Sequence, residues 1–164
     1  MARPGQTKLL VAGAEFALGS LGGPRSLPDR LREWSRGRPG HDHALEEIRA
    51  PALLVSRGPR RLTKIVLFPV RFLFTAETGR VGTNGLAAEH YLARADAPTA
   101  GLVTEALGWR QRPPADPGAA AALVGRELIP LYLQFIDDHV TRLAAAGRDD
   151  LAGRFRRWRA RLRA

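Results

Sequence analysis

The chain has 164 residues, 45% of them hydrophobic, which suits a single domain with a buried core. It contains no cysteine, and this excludes disulfides, thiol nucleophiles and cysteine-based zinc sites. Lys and Arg outnumber Asp and Glu by 26 to 16, so the net charge of +10 favours anionic partners such as nucleotide phosphates or nucleic acid.

The N-terminal third gives few signals of function. Residues 1–25 predict a terminal segment and a loop: residues 1–7 are expected to be loose, and residues 8–18 suit either a short strand or a helix. Their apolar stretch is too short for a signal peptide, and no apolar run approaches the roughly 18 residues of a membrane span. We therefore expect a cytoplasmic protein. The glycines at 19–23 do not have the spacing of a phosphate-binding loop.

A helical domain is predicted over residues 26–164. Ser26 with Asp29 is typical of a helix start, and that helix would turn Leu27, Leu31 and Trp34 inward. A polar hinge follows at residues 37–42. His41 and His43 have metal-ligand spacing, but no third ligand is evident except Glu46 or Glu47, and we predict no metal site.

The next helix is expected from about residue 44 to residue 56. Pro51 should kink or split it, because proline lacks an N–H and crowds the preceding turn. Its inward residues would be Leu45, Ile48, Ala52 and Val55.

A helical hairpin over residues 62–95 is the predicted centre of the domain. Apolar residues recur at three- and four-residue spacing from Leu62 to Leu73, the pattern of a buried helical face. Gly79 should end this first helix, because glycine readily adopts positive φ. Thr83 is the predicted N-cap of the second helix, whose inner face would carry Leu86, Ala87, His90 and Tyr91.

The remaining sequence predicts three more helices. One opens at residues 96–98 and runs to about Arg110, and a proline-rich linker follows at residues 112–118. A long helix over residues 119–146 would be bent by Pro130, with His139 in its core face. The last helix carries seven arginines between Arg148 and Arg163 around an apolar stripe. We expect that stripe to pack on the bundle, which leaves the arginines in water.

The central hairpin resembles the C-terminal helical domain of aminoglycoside nucleotidyltransferases of the streptomycin/spectinomycin adenylyltransferase type. The similarity covers residues 65–112, under a third of the chain. The residues that carry it are Arg71, Thr78, Gly79, Arg80, Val81, Ala87, Ala88, Glu89, Glu105 and Ala106.

The resemblance implies a domain that closes one side of a nucleotide and drug cleft. A lysine of that family falls on Asn84 and a tyrosine falls on Arg110, so nucleotide phosphates would meet Arg80, Asn84 and Arg110. Asn84 can hydrogen-bond a phosphate without charge, whereas Arg110 can clamp one. A cationic aminoglycoside would be repelled by the basic residues that precede the hairpin.

The catalytic half of that family is missing from this sequence. Its Mg²⁺-binding carboxylates lie in an Asp-x-Asp, yet no two acidic residues here are two positions apart. ATP and Mg²⁺ are therefore expected only if a separate or missing nucleotidyltransferase domain completes the chain. The chain itself would be a truncated, separately encoded or degenerate homologue without catalytic residues of its own.

We accordingly predict an all-α bundle of about five to seven helices, several of them kinked by proline. The alternative function is a basic helical regulatory or nucleic-acid-binding protein, in which the arginine-rich last helix is the contact surface. On the first interpretation, nucleic-acid binding is weak and non-specific at most.

Overall fold

The computed structural model of the protein describes residues 4–20 and 42–164, and the part it describes is helical with no strand. Its eight helices are α1 Pro4–Ser20, α2 Asp42–Arg49, α3 Pro51–Ser56, α4 Pro59–Thr78, α5 Asn84–Leu92, α6 Ala100–Trp109, α7 Pro117–Ala145 and α8 Asp149–Arg163. The predicted all-α bundle is confirmed. The number of helices exceeds the predicted range.

Helix α1 corrects the expectation of a loose terminus and settles the choice between strand and helix. It begins at Pro4 and buries Leu10, Ala14, Ala17 and Leu18 in the core. The Gln6 side-chain amide donates to the carbonyls of Ala76 and Glu77, 3.2 and 3.1 Å away, at the end of α4. These contacts tie the start of the chain to the central helix. The apolar run was too short to predict this from periodicity alone.

Several predicted features lie outside the described residues. They include the boundary between residues 25 and 26, the helix start at Ser26, its inner face with Trp34, and His41. The backbone of His43 lies in α2, but its side chain is not among those described.

Pro51 splits the helix predicted over residues 44–56 into α2 and α3. The two helices meet at Ala50, and Pro51 is the first residue of α3, where a missing N–H costs nothing. Leu45 and Ile48 are buried as expected. Ala52 is exposed, and its predicted inward position was wrong because the split starts a new helix whose buried residue is Leu54.

Helix α4 is the centre of the bundle. Most of its apolar side chains are buried, and Pro69 lies among them. It ends as predicted at Gly79, whose φ of 67° is the left-handed conformation and whose N–H donates to the Thr75 carbonyl.

The second half of the hairpin is α5. The Thr83 hydroxyl accepts from the Leu86 N–H at 3.2 Å, which confirms the predicted N-cap. Leu86 itself is 43% exposed, so its predicted place in the inner face was wrong. The inner face of this short helix is formed by Ala87, Ala88 and Tyr91.

Two helix starts differ from the sequence prediction by a few residues. Helix α6 begins at Ala100 rather than at 96–98, and α7 begins at Pro117, inside the expected linker. Asp116 caps α7 by accepting from the Ala119 N–H at 3.0 Å, an N-cap signal that the proline-rich sequence obscured.

Helix α7 alone in the described ranges is long and apolar enough to cross a membrane, by length and composition. Core helices of globular proteins pass the same test. This one packs Leu128, Tyr132, Phe135 and Ile136 fully inside the bundle. The Tyr132 hydroxyl donates to the Ile65 carbonyl of α4 at 2.7 Å, and burial raises the pKa of that phenol. Length and composition therefore do not distinguish this helix from an ordinary core helix.

The corner at Gly79 is open to a direct test. Gly79→Val should lower the free energy of unfolding by about 1–2 kcal/mol or more, because a side chain in the left-handed conformation clashes with its own backbone. A Cβ at Gly79 would also lie 3.2 Å from Gln6 Cγ. The control is Gly108→Val in α6, where φ is not positive and no atom lies within 4 Å. Equal urea midpoints for the two variants would contradict the proposed role of the corner.

Candidate functional site

A groove of about 600 Å³ lies between α1, α4 and the corner that leads into α5. Its basic lining residues are Arg60, Arg61, Lys64, Arg71 and Arg110. Its main apolar lining residues are Leu9, Phe16, Leu67, Phe68, Phe72 and Val81. No carboxylate lies among the described residues that line it, so the groove is cationic with an apolar floor.

The basic residues of α4 form one stripe along the helix. Lys64 follows Arg60 by four residues and Arg71 follows Lys64 by seven, so all three lie on nearly the same face. Most of the intervening residues of the same turns are apolar and buried, which fixes the helix with this stripe toward the groove. The charges are thus placed by the register of a rigid, well-packed helix.

Most of these cations have no acidic partner within the described part of the chain. Arg61 is the exception: its Nε and Nη2 donate to Glu47 Oε2 at 2.8 and 2.6 Å. Arg57 also approaches Glu47, at 3.5 Å, so the buried carboxylate is fully engaged. Arg60, Lys64, Arg71 and Arg110 form no ion pair with a described carboxylate.

Two apolar residues of the groove, Phe16 and Val81, are exposed to solvent. Phe16 of α1 is 62% exposed, and its ring is nearly parallel to that of Phe72, with centroids 6.1 Å apart. Phe72 in turn contacts Phe68 at a centroid distance of 4.6 Å. Val81, at the corner, is 71% exposed. Such a surface next to basic side chains suits a ligand with both an anionic and an apolar part.

Two of the three residues predicted to meet phosphates line this groove. Asn84, at the start of α5, and Arg110, at the end of α6, are brought to it by the fold although 26 positions separate them. Arg80 does not line it. That side chain is exposed beyond the corner, and the Arg80 N–H donates to the Thr78 hydroxyl at 3.2 Å.

Sequence reasoning missed the other lining residues. The four- and seven-residue spacings of Arg60, Lys64 and Arg71 indicate that they share one helix face, but this shared face was not predicted from the sequence. Phe16 gave no local signal, because it joins the groove only when α1 packs on α4.

A second polar cluster joins the ends of α4 and α5. In it, the carboxylate nearest the corner, Glu77, is paired with basic side chains. Glu77 accepts from His90 Nε2 at 2.7 Å and from Arg94. Arg94 also binds Asp96, and this hydrogen bond raises the pKa of Arg94. None of these residues lines the groove. The cluster stabilises the hairpin and leaves no carboxylate there for a cationic ligand.

The sequence has adjacent acidic residues at Asp137-Asp138 and Asp149-Asp150, and three of these four carboxylates form ion pairs with arginines. Asp137 binds Arg159 at 2.6 Å, whereas Asp138 binds Arg142 at 2.8 Å, so the two carboxylates have different partners. Asp150 likewise pairs with Arg148. Within residues 4–20 and 42–164, no three His, Cys, Asp or Glu side chains are grouped to hold a metal ion. These donors do not fit Mg²⁺.

The arginine-rich helix α8 docks on the bundle. Its apolar stripe, Leu151, Phe155, Trp158 and Leu162, is buried as the sequence predicted. Since this face is occupied, the helix cannot present it to a membrane or a partner groove. Of its arginines, Arg156, Arg157 and Arg163 are exposed, and Arg159 is ion-paired with Asp137.

Comparisons with protein-family models, curated proteins and solved structures find no match for this chain. The likeness to the adenylyltransferase helical domain therefore depends on the hairpin residues themselves.

Proposed function

We propose that this chain is the nucleotide-cleft helical domain of a nucleotidyltransferase-like protein and that its groove binds the phosphates of a nucleoside triphosphate. The observation that carries the proposal is the convergence of Asn84 and Arg110 on a single cationic groove. These two positions correspond to phosphate-contacting positions in the family that the hairpin resembles. Arg60, Lys64 and Arg71 add charge at the same site.

The electrostatics of the groove favour an anion over an aminoglycoside. Five basic residues line it, and no described lining residue is acidic. A polycationic drug would be repelled, whereas a triphosphate would gain charge-assisted hydrogen bonds from arginine. If the parent family's drug is bound at all, the acidic groups that hold it belong to another domain.

The chain is proposed to bind nucleotide and not to transfer it. The Asp-x-Asp that would hold Mg²⁺ is absent from the sequence, and the adjacent carboxylates of Asp137 and Asp138 are ion-paired with Arg159 and Arg142. Catalysis would require a separate nucleotidyltransferase domain that faces this groove and supplies those carboxylates.

The test is binding of ATP and of inorganic tripolyphosphate, measured by titration calorimetry at low ionic strength. Arg110→Gln should weaken both ligands about ten-fold, since it removes one charge-assisted contact. Asn84→Lys should strengthen both by a similar factor, because it adds a cation at the phosphate position.

Matched charge changes away from the groove provide the controls. Arg163→Gln, at the end of α8, and Thr104→Lys, on the exposed side of α6, alter the net charge equally without touching the lining. If each control shifts the affinity as much as its groove counterpart, binding reflects net charge and the proposed site is wrong.

A further inference from the structure

We infer that the Phe16–Phe72 pair is a stacking platform for the base of the bound nucleotide. The inference rests on the proposed function and adds recognition of the base, the part of the nucleotide that the basic residues do not bind. A phosphate site alone would not distinguish a nucleotide from free polyphosphate. An aromatic platform beside it would.

The exposure of Phe16 is the first observation. Its side chain is 62% exposed on a helix whose other apolar residues are mostly buried, and it stands at the edge of the groove. Because removing an apolar ring from water is favourable, a ligand that covers Phe16 would gain binding free energy.

Ring geometry is the second observation. The planes of Phe16 and Phe72 differ by only 21°, whereas Phe72 and Phe68 are tilted by 41°. Two nearly parallel rings that face an open groove extend naturally to a third flat ring, because offset stacking is the favoured arrangement of aromatic faces. A flexible acyl chain would gain nothing from the parallel orientation.

Gly13 makes this arrangement possible. A Cβ built on Gly13 would lie 3.1 Å from Phe72 Cδ1 and 3.2 Å from its Cε1. The glycine therefore lets the Phe72 ring lie directly against α1, one turn from Phe16.

The platform and the cations lie along one helix at a separation that suits one nucleotide. Phe72 follows Lys64 by eight residues, about 12 Å along the axis of α4, and Arg71 lies between them on the groove side. An extended nucleoside triphosphate reaches over this length. Its base would stack on Phe16, and its phosphates would lie among the polar and basic residues that line the same groove, Arg110 and Asn84 included.

The test compares ATP with inorganic tripolyphosphate for variants of Phe16. Phe16→Ala should weaken ATP on the order of ten-fold, the usual effect of losing one base–aromatic stack, and leave tripolyphosphate unchanged. Phe16→Tyr should bind ATP like the wild type because it keeps the ring. Phe16→Leu should resemble Phe16→Ala, since it keeps the apolar contact but not the flat face.

The control is Leu53→Ala in α3, which removes another exposed apolar side chain, 41% exposed, away from the groove. Equal losses for ATP and tripolyphosphate in Phe16→Ala would overturn the stacking role, as would full retention of ATP affinity by Phe16→Leu. A lower melting temperature with unchanged ATP affinity would assign Phe16 to packing and also overturn it.

The outcomes separate the two proposals. If ATP and tripolyphosphate bind equally well, and their binding depends on Arg110 but not on Phe16, the phosphate site is supported and the stacking platform is refuted. If neither ligand binds the wild-type chain, both proposals fail.

Discussion

Phe135→Ala is expected to lower the free energy of unfolding by about 3–5 kcal/mol, the usual cost of truncating a buried phenylalanine. The Phe135 ring is fully buried on α7 and joins three helices. It contacts Phe68 and Phe72 of α4 at centroid distances of 6.4 and 6.2 Å, and Phe155 and Trp158 of α8 at 5.6 and 5.9 Å. The cavity would therefore disturb several elements at once.

Such a loss is a large part of the roughly 5–15 kcal/mol that stabilises a typical domain. Urea unfolding followed by circular dichroism measures it. Phe135→Leu should cost much less, because it fills most of the same volume. If Phe135→Ala unfolds at the same urea concentration as the exposed-site variant Leu53→Ala, Phe135 is not the centre of the core.

Acid is expected to destabilise the protein through His139. This side chain is 1% exposed, stacks on Phe155 with centroids 5.4 Å apart, and lies 3.0 Å from the Phe135 carbonyl through Nδ1. Burial lowers its pKa from 6.5 to about 4, although nearby Asp138 opposes the shift. The folded state thus holds the neutral imidazole, which donates its Nδ1–H to that carbonyl.

The direction of this pH dependence follows from the number of protons that the folded and unfolded states bind. Between pH 6.5 and 4 the unfolded chain binds a proton that the folded chain does not, so stability falls as the pH falls through this range. The stabilisation that neutral His139 gives the folded state is complete above the unfolded pKa and is lost by about pH 4. The free energy of unfolding changes by about 3 kcal/mol over this range, at 1.36 kcal/mol per pKa unit.

Thermal unfolding of the wild type and His139→Phe between pH 7 and pH 4 checks this expectation. Phenylalanine keeps the ring stack with Phe155 but cannot be protonated, so His139→Phe should lose less stability over that interval. The carboxylates with lowered pKa values, Asp96 and Asp150, are the same in both proteins and cancel in the comparison. Parallel pH profiles for the two proteins would show that His139 is not the acid-sensitive group.

The candidate site illustrates which part of a function can be predicted from local sequence. Asn84 and Arg110 were predicted as phosphate contacts because short motifs around them resemble a known domain. Their meeting in one groove is a property of the packed hairpin. The third predicted residue, Arg80, is exposed and does not line the groove, although Val81 beside it does.

The sequence by itself determined the elements whose signals are local. The periodicity from Leu62 to Leu73, the left-handed stop at Gly79, the Thr83 cap and the apolar stripe of α8 all appear in the structure, since each depends on residues within a few turns of one another.

Only the tertiary structure decided the rest, and the reason is the same in each case. The sequence of α1 was ambiguous because its short apolar run fits both the period of a strand and that of a helix. Packing on α4, with Gln6 hydrogen-bonded to the end of that helix, selects the helical form. The exposure of Leu86 and Ala52 depends on which neighbouring helices cover each face. The groove itself joins residues from α1, α4 and α6. Contacts between residues so far apart in the chain leave no periodicity in the sequence, and they arise only when the helices pack.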